Sequence, residues 1–435
     1  MKFQKYFVLI LLISPLLLFA VYSSADIIKG PYLLDPRIDG ATVKWEESVN
    51  GADGLVRYGL TDALGQEVAA QKINTMRMAV IRDSNLTSST RVYYQVVSGT
   101  VTTPIMQFFT GPDSDEPFTI VVYGDVRTNP SDHQLVVQAI QLENPSMVIS
   151  TGDYVTTGFS ASDWNDFFNV ADPLMQEVPY VPLIGNHEQI GGITLFKQYF
   201  NSPLGSDNQV SNFALQYGNS LFLTLDISLP YSTESDQKHW LDGQLTDAKT
   251  NPAIKHVFVL QHFGIYSSAK HGNNNDVLNF RNSIDPSLVQ NGIDADIGGH
   301  DHDYEHSFLN NINYFVSGGG GAPLYDNGTS SWTIYSEKTL NYLLINIDGE
   351  HVKIEAKRPD GTLIEKVEFD HNYGPTTDDD TSGDDDTLPD DDTSSSDDDL
   401  NDDSNNVDDD STGDDDSGTP PVSDEESNNN GGCGC

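Results

Sequence analysis

The feature that most constrains this chain is a set of short apolar runs, each stopping at a small cluster of polar residues. Phe118–Tyr123 runs into Gly124-Asp125-Val126-Arg127, and Met147–Ser150 leads to Gly152-Asp153-Tyr154. Tyr180–Ile184 leads to Gly185-Asn186-His187-Glu188, and Val257–Leu260 to Gln261-His262. A fifth cluster reads Gly299-His300-Asp301-His302. Runs of this length with no polar alternation are strands buried on both faces. Helical patterns lie between them at Ser131–Leu142, where a Ser/Asp cap is expected, at Ser162–Met175, and at Ser235–Ala248 after a further strand at Leu221–Leu225. This rhythm predicts an α/β layered domain over residues 118–370.

Ahead of it, residues 27–112 read as all-β. Alternating runs such as Ala41-Thr42-Val43-Lys44-Trp45 and Val92-Tyr93-Tyr94-Gln95-Val96-Val97 are separated by Gly, Asn and Asp turns, which suits a β-sandwich. Gly111–Pro117 reads as the linker. Lys2 and Lys5, the uncharged run Phe7–Val21 and the small residues Ser23-Ser24-Ala25 predict a signal peptide over residues 1–25; the competing reading is an uncleaved anchor.

Charge is unevenly placed. The chain totals −44, and residues 376–435 hold 23 Asp/Glu and no Lys or Arg, which leaves 43 acidic against 22 basic residues upstream, or −21. The tail has almost nothing apolar to bury, so disorder is expected there, as a solvated spacer rather than a calcium site. No basic stripe exists to neutralise nucleic-acid phosphates, so no nucleic-acid partner is expected. Both cysteines, Cys433 and Cys435, stand at the C-terminus. The folded part is therefore expected to lack a disulfide despite export. Attachment of the tail to a cell surface through these thiols is one reading; exposed thiols without a role is the other.

Ligand sites in open α/β sheets gather at the carboxyl ends of strands, where the five polar clusters fall. Singly, Asp125 or Asp153 is a turn or cap residue and His262 a core histidine. Together, two carboxylates, one amide and three imidazoles form an oxygen and nitrogen donor set suited to Zn, Fe or Mn. Gly318-Gly319-Gly320-Gly321 lacks the Lys-Ser/Thr of a phosphate loop and reads as close packing. Trp240 and Leu241 read as core.

The order of these motifs resembles the calcineurin-like metallophosphoesterase superfamily, and the all-β N-terminal region resembles its purple acid phosphatase branch. The resemblance spans about four-fifths of the chain. It implies a four-layer α/β (α+β) sandwich of two mixed sheets flanked by helices, preceded by a fibronectin/Ig-like β-sandwich; the signal peptide, with a Cys-containing tail that resembles the C-terminal sorting signals of some bacterial surface proteins, leads to the expectation of a secreted or cell-surface, bacterial protein. It implies two metal ions, with Asp153 bridging, Asp125 and His302 completing site one, and Asn186, His262 and His300 completing site two. It places His187 on the substrate phosphate and makes His271 the proton donor to the leaving oxygen. The chemistry implied is hydrolysis of a phosphate ester by a metal-activated hydroxide, with a phosphomonoesterase as the first reading. A phosphodiesterase or nucleotidase on the same site, or a surface binding protein with a degenerate site, are the rivals.

Two positions depart from the family pattern. Thr156 stands where the branch has a tyrosine ligand, and Arg127 where the wider superfamily has a histidine. A guanidinium cannot ligate a metal; it can clamp a phosphate or pair with a carboxylate. The purple colour of the branch comes from tyrosinate on ferric iron. With Thr156 at that position, the iron-loaded protein is expected to lack the visible charge-transfer band. A strong band that disappears in Tyr154→Phe would place a ligand elsewhere.

Overall fold

Alternate residues of each central strand are buried on opposite sides, and this decides the layering. Ile120 and Val122 pack with Ile149, Phe258, Leu260 and Ile297 in a core between two sheets. Val121 and Tyr123 point the other way, onto Val136, Ile140, Trp164 and Phe167 of two helices. Val257 and Val259 likewise face Leu241, Leu245, Phe280 and Ile284. The computed structural model describes residues 26–51, 53–114, 116–203, 210–371 and 373. The expected signal peptide and Asp-rich tail lie outside the described residues. Among those described, no helix is long and apolar enough to cross a membrane.

One sheet places Phe118–Tyr123, Met147–Ser150 and Tyr180–Pro182 side by side in parallel, with Tyr342–Asp348 antiparallel to the first. The facing sheet runs Phe213–Tyr217, Ser220–Thr224, His256–Phe263, Ala295–Gly299, Ile312–Ser317, Tyr304–Leu309 and Thr333–Glu337, and is also mixed. The helices Pro130–Glu143, Ala161–Met175, Asp236–Thr250 and Asn275–Asn291 cover the outer faces. The architecture is thus two mixed sheets flanked by helices.

The N-terminal strands form a second two-sheet core, with Leu33, Val43 and Trp45 facing Val56, Tyr94 and Phe108. One of its sheets is continuous with the first central sheet. Strand Ile27–Arg37 pairs in parallel with Tyr180–Pro182, Leu34 opposite Tyr180, so ten strands share one hydrogen-bonded ladder. A linker at Gly111–Pro117 separates the two regions in sequence without separating them in the sheet.

The first helix starts differently from expectation. Pro130 occupies its first turn and Asn129 the cap position, with no side-chain cap bond. Proline there loses nothing, because its missing N–H would have had no helical partner. The second helix does use Ser160, whose hydroxyl accepts from the Asp163 N–H. It carries Trp164, fully buried, whose indole N–H donates to the Gly158 carbonyl at 3.0 Å. Trp164 thereby ties the helix to the loop after Asp153. Trp164→Ala is expected to cost about 3–5 kcal/mol in urea unfolding; a loss below about 1 kcal/mol would show that the aromatic cluster closes around the gap.

Candidate metal centre

Three residues after the strand-ending glycines take left-handed backbone: Asp125 (φ 58°), Asp153 (φ 58°) and His300 (φ 71°). Such geometry costs a non-glycine residue about 1–3 kcal/mol and persists only where the surroundings impose it. The glycines serve mainly to admit neighbours. A Cβ on Gly124 would sit 1.9 Å from Thr151 Oγ1, one on Gly185 2.1 Å from Asp153 Oδ1, and one on Gly299 2.2 Å from Asp125 Oδ2. The carboxylates lie directly on bare glycine backbone. The tetraglycine behaves the same way, with Gly320 against the Gly124 carbonyl.

Glu188 holds the second loop. Its buried carboxylate accepts from the N–H groups of Asp153, Tyr154 and Gly185 at 2.8–2.9 Å and of Val155 at 3.3 Å. Burial and the Asp153 charge push its pKa up to about 8, against the pull of these donors. The opposite rim is held similarly by Asp301, which accepts the His271 N–H at 2.9 Å and the Ser267 hydroxyl at 2.5 Å. Neither residue stood out among the sequence candidates, although Glu188 closes the Gly-Asn-His-Glu cluster.

The sequence candidates are brought together here. Asp125, Asp153 and His262 present ligand atoms all within 4.8 Å of one another. Around His262 Nε2 lie Asn186 Oδ1 at 2.9 Å, His300 Nδ1 at 3.1 Å and Asp153 Oδ1 at 3.4 Å. The His262 Nδ1–H is spent on the Thr151 carbonyl at 3.0 Å, so Nε2 offers a lone pair. Four candidate ligand atoms, those of His262, Asn186, His300 and Asp153, thus converge, an arrangement that suits a cation. Ligands about 2.1 Å from one ion stand roughly 3.0–3.4 Å apart at octahedral to tetrahedral angles, and these four fit.

A second set lies beside it. Asp125 Oδ1 is buried without a hydrogen-bond partner, 3.6 Å from His302 Nε2. His302 gives its Nδ1–H to the Pro323 carbonyl at 2.7 Å and stacks on Tyr325 at 4.1 Å. Arg127 reaches into this set, its Nε 3.3 Å from Asp153 Oδ2 and Nη2 3.5 Å from His302 Nε2. Both readings of Arg127 are served by this position, since the pair with Asp153 lies at the rim of the centre. Tyr154 turns away, buried against Trp164, Phe167 and Phe200.

The electrostatics suit a cation. Burial lowers His300 to about 2 and His302 to about 4, so both imidazoles are neutral donors. Burial and Asp153 hold Asp125 well above the usual range. For Asp153, burial acts upward but His262, His187 and Arg127 outweigh it and hold the group low. His187 gives Nδ1–H to the Thr156 carbonyl at 2.7 Å, leaving Nε2 3.8 Å from Asp153 Oδ2. The His271 ring lies 4.5 Å from that of His300, its Nδ1 accepting from the Asn274 amide at 2.9 Å.

Residues 118–304 match the calcineurin-like phosphoesterase family. The matched stretch lies within the two-sheet domain that carries the centre, and this domain is similar to the calcineurin-like phosphoesterases. It is 28% identical over 215 residues to tartrate-resistant acid phosphatase type 5 of Oryctolagus cuniculus, covering 42% of this chain and 63% of the relative. It is 25% identical over 287 residues to the protein named "Probable purple acid phosphatase 20" in Arabidopsis thaliana, covering 62% and 63%. The chain thus spans just under two thirds of the length of these relatives. In structure it is similar to the purple acid phosphatase PPD1 of yellow lupin (Lupinus luteus) seeds, with a TM-score of 0.70 at 17% identity over 79% of this chain and 75% of that one.

Glu188→Ala would leave four buried N–H groups without an acceptor. At about 1–3 kcal/mol for each unsatisfied group, a loss of at least about 3 kcal/mol in urea unfolding is expected. A loss under about 1 kcal/mol would show that the Asp153 loop is held by other contacts.

Proposed function

We propose that this chain is an exported, metal-dependent phosphomonoesterase. The observation that carries the reading is the convergence of His262 Nε2 with Asn186 Oδ1, His300 Nδ1 and Asp153 Oδ1, four ligand atoms of the kinds that hold metal ions. Asn186, His262, His300 and Asp153 would hold one ion, and Asp125, Asp153 and His302 a second. Bound there, divalent or trivalent ions supply charge for the phosphoryl oxygens and an acidified water.

The chain's own residues do the rest. Asp153 presents one oxygen to each metal position and is fixed through its backbone by Glu188. His187 is oriented by the Thr156 carbonyl so that Nε2 faces the substrate phosphate. Asn274 caps Nδ1 of His271, which puts the His271 proton on Nε2, the nitrogen free to serve the leaving oxygen. Arg127 adds positive charge at the rim, which favours a dianionic monoester over a monoanionic diester.

The wider setting is read from the sequence. Residues 1–25 direct export, residues 27–112 form a fibronectin-type sandwich, and the acidic tail from 376 spaces the enzyme from a surface held through Cys433 or Cys435. These assignments concern placement and leave the chemistry unchanged.

The test is paired hydrolysis of p-nitrophenyl phosphate and bis(p-nitrophenyl) phosphate, with and without a chelator. A kcat/KM at least about tenfold higher on the monoester, abolished by metal removal, is expected. Preference for the diester would reassign the site to diester chemistry. Activity that survives chelation would refute metal dependence.

A further inference from the structure

The two candidate metal positions are built unequally. Site two has four uncharged or anionic donors: Asn186, His262, His300 and Asp153. Site one has three, Asp125, Asp153 and His302, and a guanidinium where a fourth would stand. Arg127 is 3.3 Å from Asp153 Oδ2 and 3.5 Å from His302 Nε2, distances close to those between ligands that share an ion. Its side chain is only 13% exposed.

Arg127 is also fixed there. Its Nη1 donates to Thr128 Oγ1 at 3.2 Å, and Thr128 Oγ1 meets Thr156 Oγ1 at 3.4 Å. Thr128 takes a φ of 77°, a conformation that β-branched residues rarely adopt. Thr156 gives site one nothing in return. Its hydroxyl belongs to this chain of contacts and its carbonyl to His187.

We propose that Arg127 makes site one the labile metal position: one ion is held tightly at site two, and the second is taken up only from solution. An arginine cannot deprotonate to become a ligand. It both withholds a donor and repels a cation from the same place, while its charge partly substitutes for the ion in balancing Asp153. The inference rests on the metal-dependent reading above and deepens it, since it makes activity depend on free metal and assigns the substrate phosphate a fixed positive partner when site one is vacant.

The test reads metal content, not activity. The full chain is loaded with Zn, passed through a desalting column in metal-free buffer, and analysed by elemental mass spectrometry. Wild type is expected to retain about one ion per chain, His262→Ala none, and His302→Ala the same single ion as wild type. Arg127→His, which restores an imidazole donor, is expected to retain about two and to bind the second about 100-fold more tightly in a titration. Two ions retained by wild type would overturn the proposal, as would loss of the ion in His302→Ala. An Arg127→His chain, folded by circular dichroism, that still holds one ion would overturn it too. A wild-type chain that retains none would also overturn the proposal, whereas metal dependence itself fails only if hydrolysis survives chelation.

Discussion

The centre depends on one buried carboxylate. Glu188 lies under the Asp153 loop and accepts four backbone N–H groups, from Asp153, Tyr154, Val155 and Gly185. Burying a carboxylate is costly unless it is fully hydrogen-bonded, and this one is bonded to the backbone of two different strand ends. It therefore couples the loop that carries the bridging candidate Asp153 to the turn that carries Asn186 and His187. The left-handed backbone at Asp153 is imposed by that coupling, with Trp164 holding the far side of the loop through Gly158.

Around this anchor the site manages its charge by burial. Imidazoles that keep one N–H on a backbone carbonyl, His262 on Thr151 and His302 on Pro323, are locked in the tautomer that points a lone pair inward. Desolvation keeps them neutral, so balancing the charge of Asp125 and Asp153 is left to Arg127 and, in the proposed reading, to metal ions. A cation is attracted strongly where donors converge, and weakly where a guanidinium already stands. The proposed inequality of the two positions and the proposed metal binding rest on the same electrostatics.

The N-terminal region bears on the site through the sheet. Strand Ile27–Arg37 continues the ladder from Tyr180–Pro182, and the chain just beyond that strand turns into Asn186. Tyr32 reaches across to the Tyr199 carbonyl and Tyr94 to that of Gln176, both at 2.7 Å. The N-terminal strands thus buttress the helices that carry Trp164 and Phe200.

Much of this was legible in the chain itself. The buried strands Phe118–Tyr123 and Met147–Ser150 fall where their apolar runs predict, because a short run without polar alternation, closed by turn residues, suits a strand covered on both faces. The metal-site candidates were legible because their chemistry is local: each lies within a few residues of a strand's end, and strand ends in such sheets converge. What the sequence could not supply was everything that depends on distant partners. The Glu188 clamp, the carbonyls that choose the histidine tautomers, and the pairing of Leu34 with Tyr180 join residues far apart in the chain through contacts with no sequence signature. Arg127 shows the division most clearly. Its identity as a departure was plain from the sequence, but only the tertiary structure decided that its guanidinium stands between Asp153 and His302, because that depends on how three separate strand ends meet.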